Sequence, residues 1–127
     1  MEIEFKNGSH IKVKGLKTIN FKFVKTKDNS DATSNYDIIG DFPILISQFV
    51  YAMLDETNSF RATFYITNKQ MGGWTKNKFE LNKRDGEWYI DEEKPASLLD
   101  VIRDRKVVSC HANGGYGQMS YFCELEE

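Results

Sequence analysis

The side chains best equipped for chemistry are Cys110 and His111, adjacent in the chain. A thiol becomes a nucleophile beside an imidazole only when the two meet within hydrogen-bond distance and an oxyanion hole stands by. Neighbours on one strand point to opposite faces, so this pair cannot meet directly. Cys110 instead shares a face with Val108 and Ala112 and, after the turn, with Tyr121 and Cys123, where it packs as a small hydrophobe. As metal ligands, His10, Cys110, His111 and Cys123 lack the close C-x2-C or H-x3-H spacing of zinc sites. Among the carboxylates, Asp37, Asp41 and Asp91 to Glu93 carry no sign of the burial that acid/base work needs. No GxSxG elbow, HExxH or dinucleotide fingerprint occurs. The sequence therefore points away from an enzyme, with no catalytic residue, metal or cofactor expected.

The glycine-rich stretch NGGYGQ at 113–118 allows three readings. As a phosphate cradle it lacks the Gly-Lys-Ser/Thr ending and opens no helix whose dipole could meet the anion. GGYGQMSY at 114–121 resembles the RNP1 octamer of RRM domains at Gly115, Tyr116, Gly117, Met119 and Tyr121. It departs where Gly114 replaces the basic residue and Gln118 the aromatic that stacks on a base. Direct nucleic-acid binding is not expected on that pattern. The plain reading is a hairpin tip whose glycines supply positive φ and leave Tyr116 exposed. Trp74 also lies in a glycine-containing loop, and it either projects for recognition or folds over the sheet edge. Trp, Tyr and Arg dominate binding energy at interfaces. Trp74 and Tyr116, flanked by Arg61, Arg103 and Arg105, are thus the candidate contact residues.

Charge is unevenly spread. Residues 1–27 hold seven Lys against two Glu, and residues 28–58 hold six acids and no base. Residues 59–90 return to net +3 and 91–127 to −4, giving −2 overall. Nucleic-acid readers present a dominant basic stripe, and here the signs alternate. Alternation suits a protein partner or a small ligand, or simply solvated strand faces. Asp28, Asp31, Asp37 and Asp41 are the acidic candidates for meeting a basic surface. On a nuclease they would stand in for DNA phosphates.

These residues need elements to hold them. At 127 residues the chain fits one domain, 1–127. The expected order is βββαβββαββ, an α+β fold of about eight mainly antiparallel strands packed by one long buried helix and one short helix. Ile3 and Phe5 alternate with charged residues, and Asn7-Gly8-Ser9 turns the chain toward Ile11 and Val13. That pairs Phe5 with Ile11 and Ile3 with Val13. A third strand places Ile19, Phe21 and Phe23 on one side. The polar stretch Thr26 to Asn35 reads as a loop. Asp41 and Pro43 mark the start of the long helix, whose Ile46, Phe49, Val50, Met53 and Leu54 form one face. Phe60, Ala62, Phe64 and Ile66 alternate with Arg61, Thr63, Tyr65 and Thr67, and a loop spans Asn68 to Thr75. Asp85-Gly86 is a two-residue turn that sets Leu81 opposite Ile90 and Arg84 opposite Glu87. A short helix follows Pro95. Strands at Val107–Ala112 and Met119–Leu125 close the chain.

The N-terminus alternates charged and apolar residues, unlike a signal peptide. The apolar stretch near Ile44 to Leu54 is too short to span a bilayer. A cytoplasmic protein with reduced thiols is expected. In size, mixed charge and lack of catalytic motifs the chain is similar in style to small phage-encoded inhibitors and bacterial immunity proteins. That similarity implies a non-enzymatic binding protein that occludes a larger partner one to one, such as an anti-CRISPR-like anti-defence inhibitor. The alternative is a nucleotide-binding or sequestering protein, with Trp74 or Tyr116 stacking on a base and Arg61, Arg103 or Arg105 holding phosphate. Oligomeric state is open, because any unpaired edge strand could join a second copy.

Overall fold

The computed structural model describes residues 2–5, 10–12, 21–56, 59–68, 78–85, 87–90 and 105–127. Its strands are β1 (Glu2–Phe5), β2 (His10–Lys12), β3 (Phe21–Asp28), β4 (Ser34–Gly40), β5 (Ile44–Leu45), β6 (Arg61–Thr67), β7 (Lys78–Arg84), β8 (Glu87–Ile90), β9 (Lys106–Gly115) and β10 (Gln118–Leu125). One helix, α1 (Ile46–Glu56), separates β5 from β6. All ten strands belong to one sheet, ordered β2-β1-β8-β7-β6-β10-β9-β4-β3, with β5 paired to β9 beside that path.

This overturns the expected fold class. The sheet is mixed, because β10 runs parallel to β6 and β1 parallel to β8. Hairpins account for the antiparallel pairs β3–β4, β6–β7–β8 and β9–β10. The parallel pairs join segments far apart in sequence, which alternation within a strand cannot reveal. The helix is also shorter than expected, at 11 residues. Ile44 and Leu45 pair with Val107 and Lys106 instead of opening it. The helix therefore begins at Ile46, whose N–H donates to the Arg105 carbonyl at 3.0 Å. The short helix after Pro95 lies outside the described residues, as does most of the 68–75 loop.

Three local expectations also change. The first hairpin pairs Ile3 with Ile11 and Glu4 with His10, a two-residue slip from the expected register that leaves side-chain parity intact. Much of the polar stretch 26–35 is strand and tight turn rather than loop. There β3 runs on to Asp28, and β4 starts at Ser34 because β9 supplies a second partner for its backbone. Finally, Val108 does not share the face of Cys110. The β9–β10 register shifts between Glu124 and Leu125, which oppose Ser109 and Val107. The extra residue Val108 is turned outward while Val107 and Cys110 both stay buried.

The helix covers one face of the sheet. Ile46, Phe49, Val50, Met53 and Leu54 are each at most 3% exposed, at the spacing of one helical face. Burying five such side chains contributes on the order of 10 kcal/mol before chain entropy is counted. Phe49 meets Phe21 at 5.4 Å, Phe42 at 5.7 Å and Phe64 at 6.4 Å between ring centroids. Under it, Phe64 stacks between Phe79 at 5.1 Å and Tyr121 at 4.7 Å. Ala62, Phe64 and Ile66 of β6 and Tyr121, Cys123 and Leu125 of β10 all point into this core. The alternate residues of the same strands face away from it. No helix among the described residues is long and apolar enough to cross a membrane.

Candidate interaction surface

At one end of the sheet, the β9–β10 hairpin turns on Tyr116 and Gly117, between the paired Gly115 and Gln118. Tyr116 has φ of 56° and Gly117 of 78°. Two positive φ values suit a turn that follows the right-handed strand twist. They cost an aromatic residue roughly 1 kcal/mol or more that glycine would not bear. The Tyr116 side chain is 76% exposed. Such an outlier at an exposed tip invites a functional reading.

Phe60, just ahead of β6, braces that tip. Its N–H donates to the Gly117 carbonyl at 2.8 Å, and its own carbonyl accepts from the Lys83 N–H at 2.8 Å. A Cβ on Gly117 would fall 2.5 Å from Phe60 Cε1, so the ring lies directly on the glycine. Phe60 itself is 49% exposed. The β3–β4 turn closes on the other side, where a Cβ on Gly115 would meet the Ala32 carbonyl oxygen at 3.1 Å and Thr33 Cα at 3.2 Å. Tyr116 and Phe60 thus stand as two solvent-facing aromatics on a backbone clamped from both sides.

Acidic residues sit beside them. Asp31 Oδ1 accepts from the Thr33 hydroxyl at 2.7 Å and the Thr33 N–H at 3.1 Å. Those donors hold its carboxyl below the usual range, the hydroxyl more than the amide. Asp28 Oδ1 accepts from the Ser34 hydroxyl at 2.8 Å and lies 3.3 Å from Lys25 Nζ. The Ser34 hydroxyl first, then Lys25, lowers its pKa.

The structure gathers only some of the residues singled out from the sequence. Tyr116, Asp28, Asp31 and Arg61 share the tip end. Arg61 opens β6 there, with Nε 3.3 Å from Glu80 and donating to Asn82 at 3.2 Å. Asp37 lies along β4, opposite His111. Asp41 follows the far end of β4, and Arg105 precedes the far end of β9, a ten-residue strand. Asp41 lies seven residues beyond Ser34, the partner of Asp28, so at about 3.3 Å per residue roughly 23 Å separates the two and the four aspartates form no single patch. Trp74 and Arg103 lie outside the described residues.

Sequence reasoning missed two features. Alternation places Phe60 on one face with Ala62, Phe64 and Ile66, but β6 begins after it and Phe60 is half exposed. The second is a row of side chains across the outer face of the sheet. Register places Lys78 (β7), Tyr65 (β6), Phe122 (β10), His111 (β9) and Asp37 (β4) side by side. Tyr65 stacks on Phe122 at 4.9 Å and 7°, and His111 on Phe122 at 5.0 Å and 11°. Lys78 Nζ sits 6.0 Å from the Tyr65 centroid. Large aromatics at the polar parity of their strands were the available signal. Their alignment depended on the β6–β10 parallel pairing.

Cys110 and Cys123 face each other across β9–β10 with sulfurs 3.6 Å apart, both buried and free. Burial, then the neighbouring Cys110, pushes the Cys123 thiol well above its ordinary pKa, the opposite of an activated nucleophile. Among the described residues no three His, Cys, Asp or Glu side chains gather to hold a metal ion. Comparison with protein-family models, with curated proteins and with solved structures gives no match to this chain.

Proposed function

We propose that this is a non-enzymatic binding protein that occludes a larger protein, as small phage anti-defence inhibitors and bacterial immunity proteins do. The observation that supports it is Tyr116, an aromatic held in a left-handed conformation, 76% exposed, at a rigid hairpin tip. A pre-organised tyrosine loses little entropy on docking, and aromatic anchors of this kind carry interface energy. Phe60 widens the anchor. Asp28 and Asp31 place negative charge beside it, which suits a basic partner surface. In this reading Asp41 and Arg105, at the opposite end, take no part. The nucleotide-binding alternative gains no comparable support, because the Arg61 guanidinium is already engaged by Glu80 and Asn82.

The test is affinity capture with the intact chain as bait and quantitative mass spectrometry as readout. Wild type and Asp41→Lys should retain the same partner, while Tyr116→Ala should lose it about tenfold or more. Equal capture by Tyr116→Ala and wild type would remove the tip from the binding site. A saturable change in fluorescence with nucleotides alone would favour the small-ligand reading.

A further inference from the structure

We infer that the outer face of the sheet is a self-complementary surface on which a second copy of this chain docks. The row Lys78–Tyr65–Phe122–His111–Asp37 spans five neighbouring strands with Phe122 at its centre. A cation stands two strands to one side of Phe122 and an anion two strands to the other. A twofold axis lying in the interface, parallel to the strands and passing over Phe122, exchanges these two ends. It brings Lys78 of each copy onto Asp37 of the other and Tyr65 onto His111, as an isologous interface requires. A twofold across the strands would instead set Lys78 on Lys78 and Asp37 on Asp37, so this row favours the first orientation. That first axis does, however, set the exposed Glu124 of each β10 against the other.

The next row repeats the pattern with signs reversed. Glu80, Thr63, Ser120, Asn113, Asn35 and Lys27 are aligned by register, with the acid at one end and the base at the other. The same axis brings Glu80, which Arg61 of its own copy contacts at 3.3 Å, toward Lys27, whose side chain spans the one extra strand spacing of about 4.8 Å. Between the charged ends, Tyr65 and Phe122 are half-buried, and Lys78, His111 and Asp37 are exposed. Ile39, 58% exposed, and Val108, 40% exposed, add apolar surface at one corner of this face.

Area agrees with a modest dimer. Five strands about 4.8 Å apart, over seven residues rising about 3.3 Å each, outline on the order of 500 Å² per copy. The total of roughly 1,000 Å² lies at the lower edge of specific interfaces, so the dimer dissociates on dilution. An axis parallel to the strands also leaves both Tyr116 tips at the same end of the dimer. Two anchors side by side raise avidity for a repeated or symmetric partner without any new contact.

Sedimentation equilibrium on the full chain tests this, over about 1 to 300 µM at low salt. Wild type should move from 14.7 kDa toward twice that mass. Asp37→Lys and Lys78→Asp should each weaken association at least about tenfold, because every crossed contact becomes like-charged. An equimolar mixture of the two should associate again, since Lys78 of the first then meets Asp37 of the second and the two introduced charges meet each other. Circular dichroism confirms that each variant is folded, and Tyr116→Ala should dimerise like wild type. That separates failure here from failure of the tip proposal. A wild type that stays monomeric, single variants that dimerise unchanged, or a mixture that stays apart each overturns the inference. So does a monomeric wild type that loses its captured partner on Phe122→Asp, which would give the face to that partner instead.

Discussion

Strands β6 and β10 carry aromatics on both faces, and the two faces treat them differently. Phe64 and Tyr121 point inward and are fully buried, stacked at 4.7 Å under Phe49 of the helix. Tyr65 and Phe122, their next neighbours in sequence, point outward and stack at 4.9 Å while half-exposed. Both stacks arise from the same parallel register, Phe64 against Tyr121 and Tyr65 against Phe122. The spacing of strands therefore sets the ring geometry on either face. What differs is the helix. Inside, a ring removes water from its neighbours and carries stability. Outside, the same stacking orders a surface that other molecules can use.

The sharpest way to break this comparison is to truncate one ring on each face. Phe64→Ala should cost about 3 to 5 kcal/mol, as large-to-small changes at closed core sites do. Phe122→Ala should cost about 1 kcal/mol, the worth of two cross-strand aromatic contacts. Urea unfolding followed by circular dichroism measures both. Equal losses would mean that the outer stack is part of the core, and the dimer proposal would lose its surface.

Sequence made one half of that comparison readable. The five inward residues of α1 follow from helical spacing, and the Asp85-Gly86 turn correctly sets Leu81 against Ile90 and Arg84 against Glu87. Both are local patterns, fixed within a dozen residues. The outer row was invisible for a physical reason: His111, Phe122, Tyr65 and Asp37 come from four strands, and their alignment rests on the β6–β10 and β4–β9 pairings. Residues 34–40 were hidden differently. Tyr36, Ile38 and Ile39 sit between Ser34 and Gly40, and only a strand with partners on both sides makes such a segment worth extending. Tyr116 was legible as a tip residue. Its positive φ and the Phe60 brace were not.

That brace gives the next-largest effect. Gly117→Ala adds a methyl group 2.5 Å from Phe60 Cε1 at φ of 78°, combining a clash with a left-handed backbone. The expected loss is about 2 kcal/mol. Phe60→Ala in the same chain should recover the part due to the clash, so the two changes will not add. Strict additivity would mean that backbone strain alone is the cause, and that Phe60 does not hold the tip. The Tyr116→Asn variant sharpens the contrast, because Asn tolerates positive φ better. It should raise stability by a fraction of about 1 kcal/mol while weakening partner capture. Strain at a contact residue would then be retained for binding and not for folding.

The smallest expected effect sets the solvent-facing turn against the buried hairpin centre through protonation. Cys123 and Asp31 shift in opposite directions for one electrostatic reason. Burial removes water from the Cys123 sulfur and disfavours its charged form, whereas Thr33 donors at the exposed turn replace water around the Asp31 carboxylate and favour its charge. Because the folded pKa of Asp31 lies below its unfolded value near 3.8, its contribution is fully present above that pH. It is lost as pH falls through the lower, folded value. The Thr33 amide resonance should therefore titrate with a midpoint below 3.8 in wild type and stay flat over the same range in Asp31→Asn. A wild-type midpoint above 3.8 would mean that the turn does not hold its carboxylate in solution. The clamp on that side of the Tyr116 tip would then be looser than the geometry at Gly115 requires.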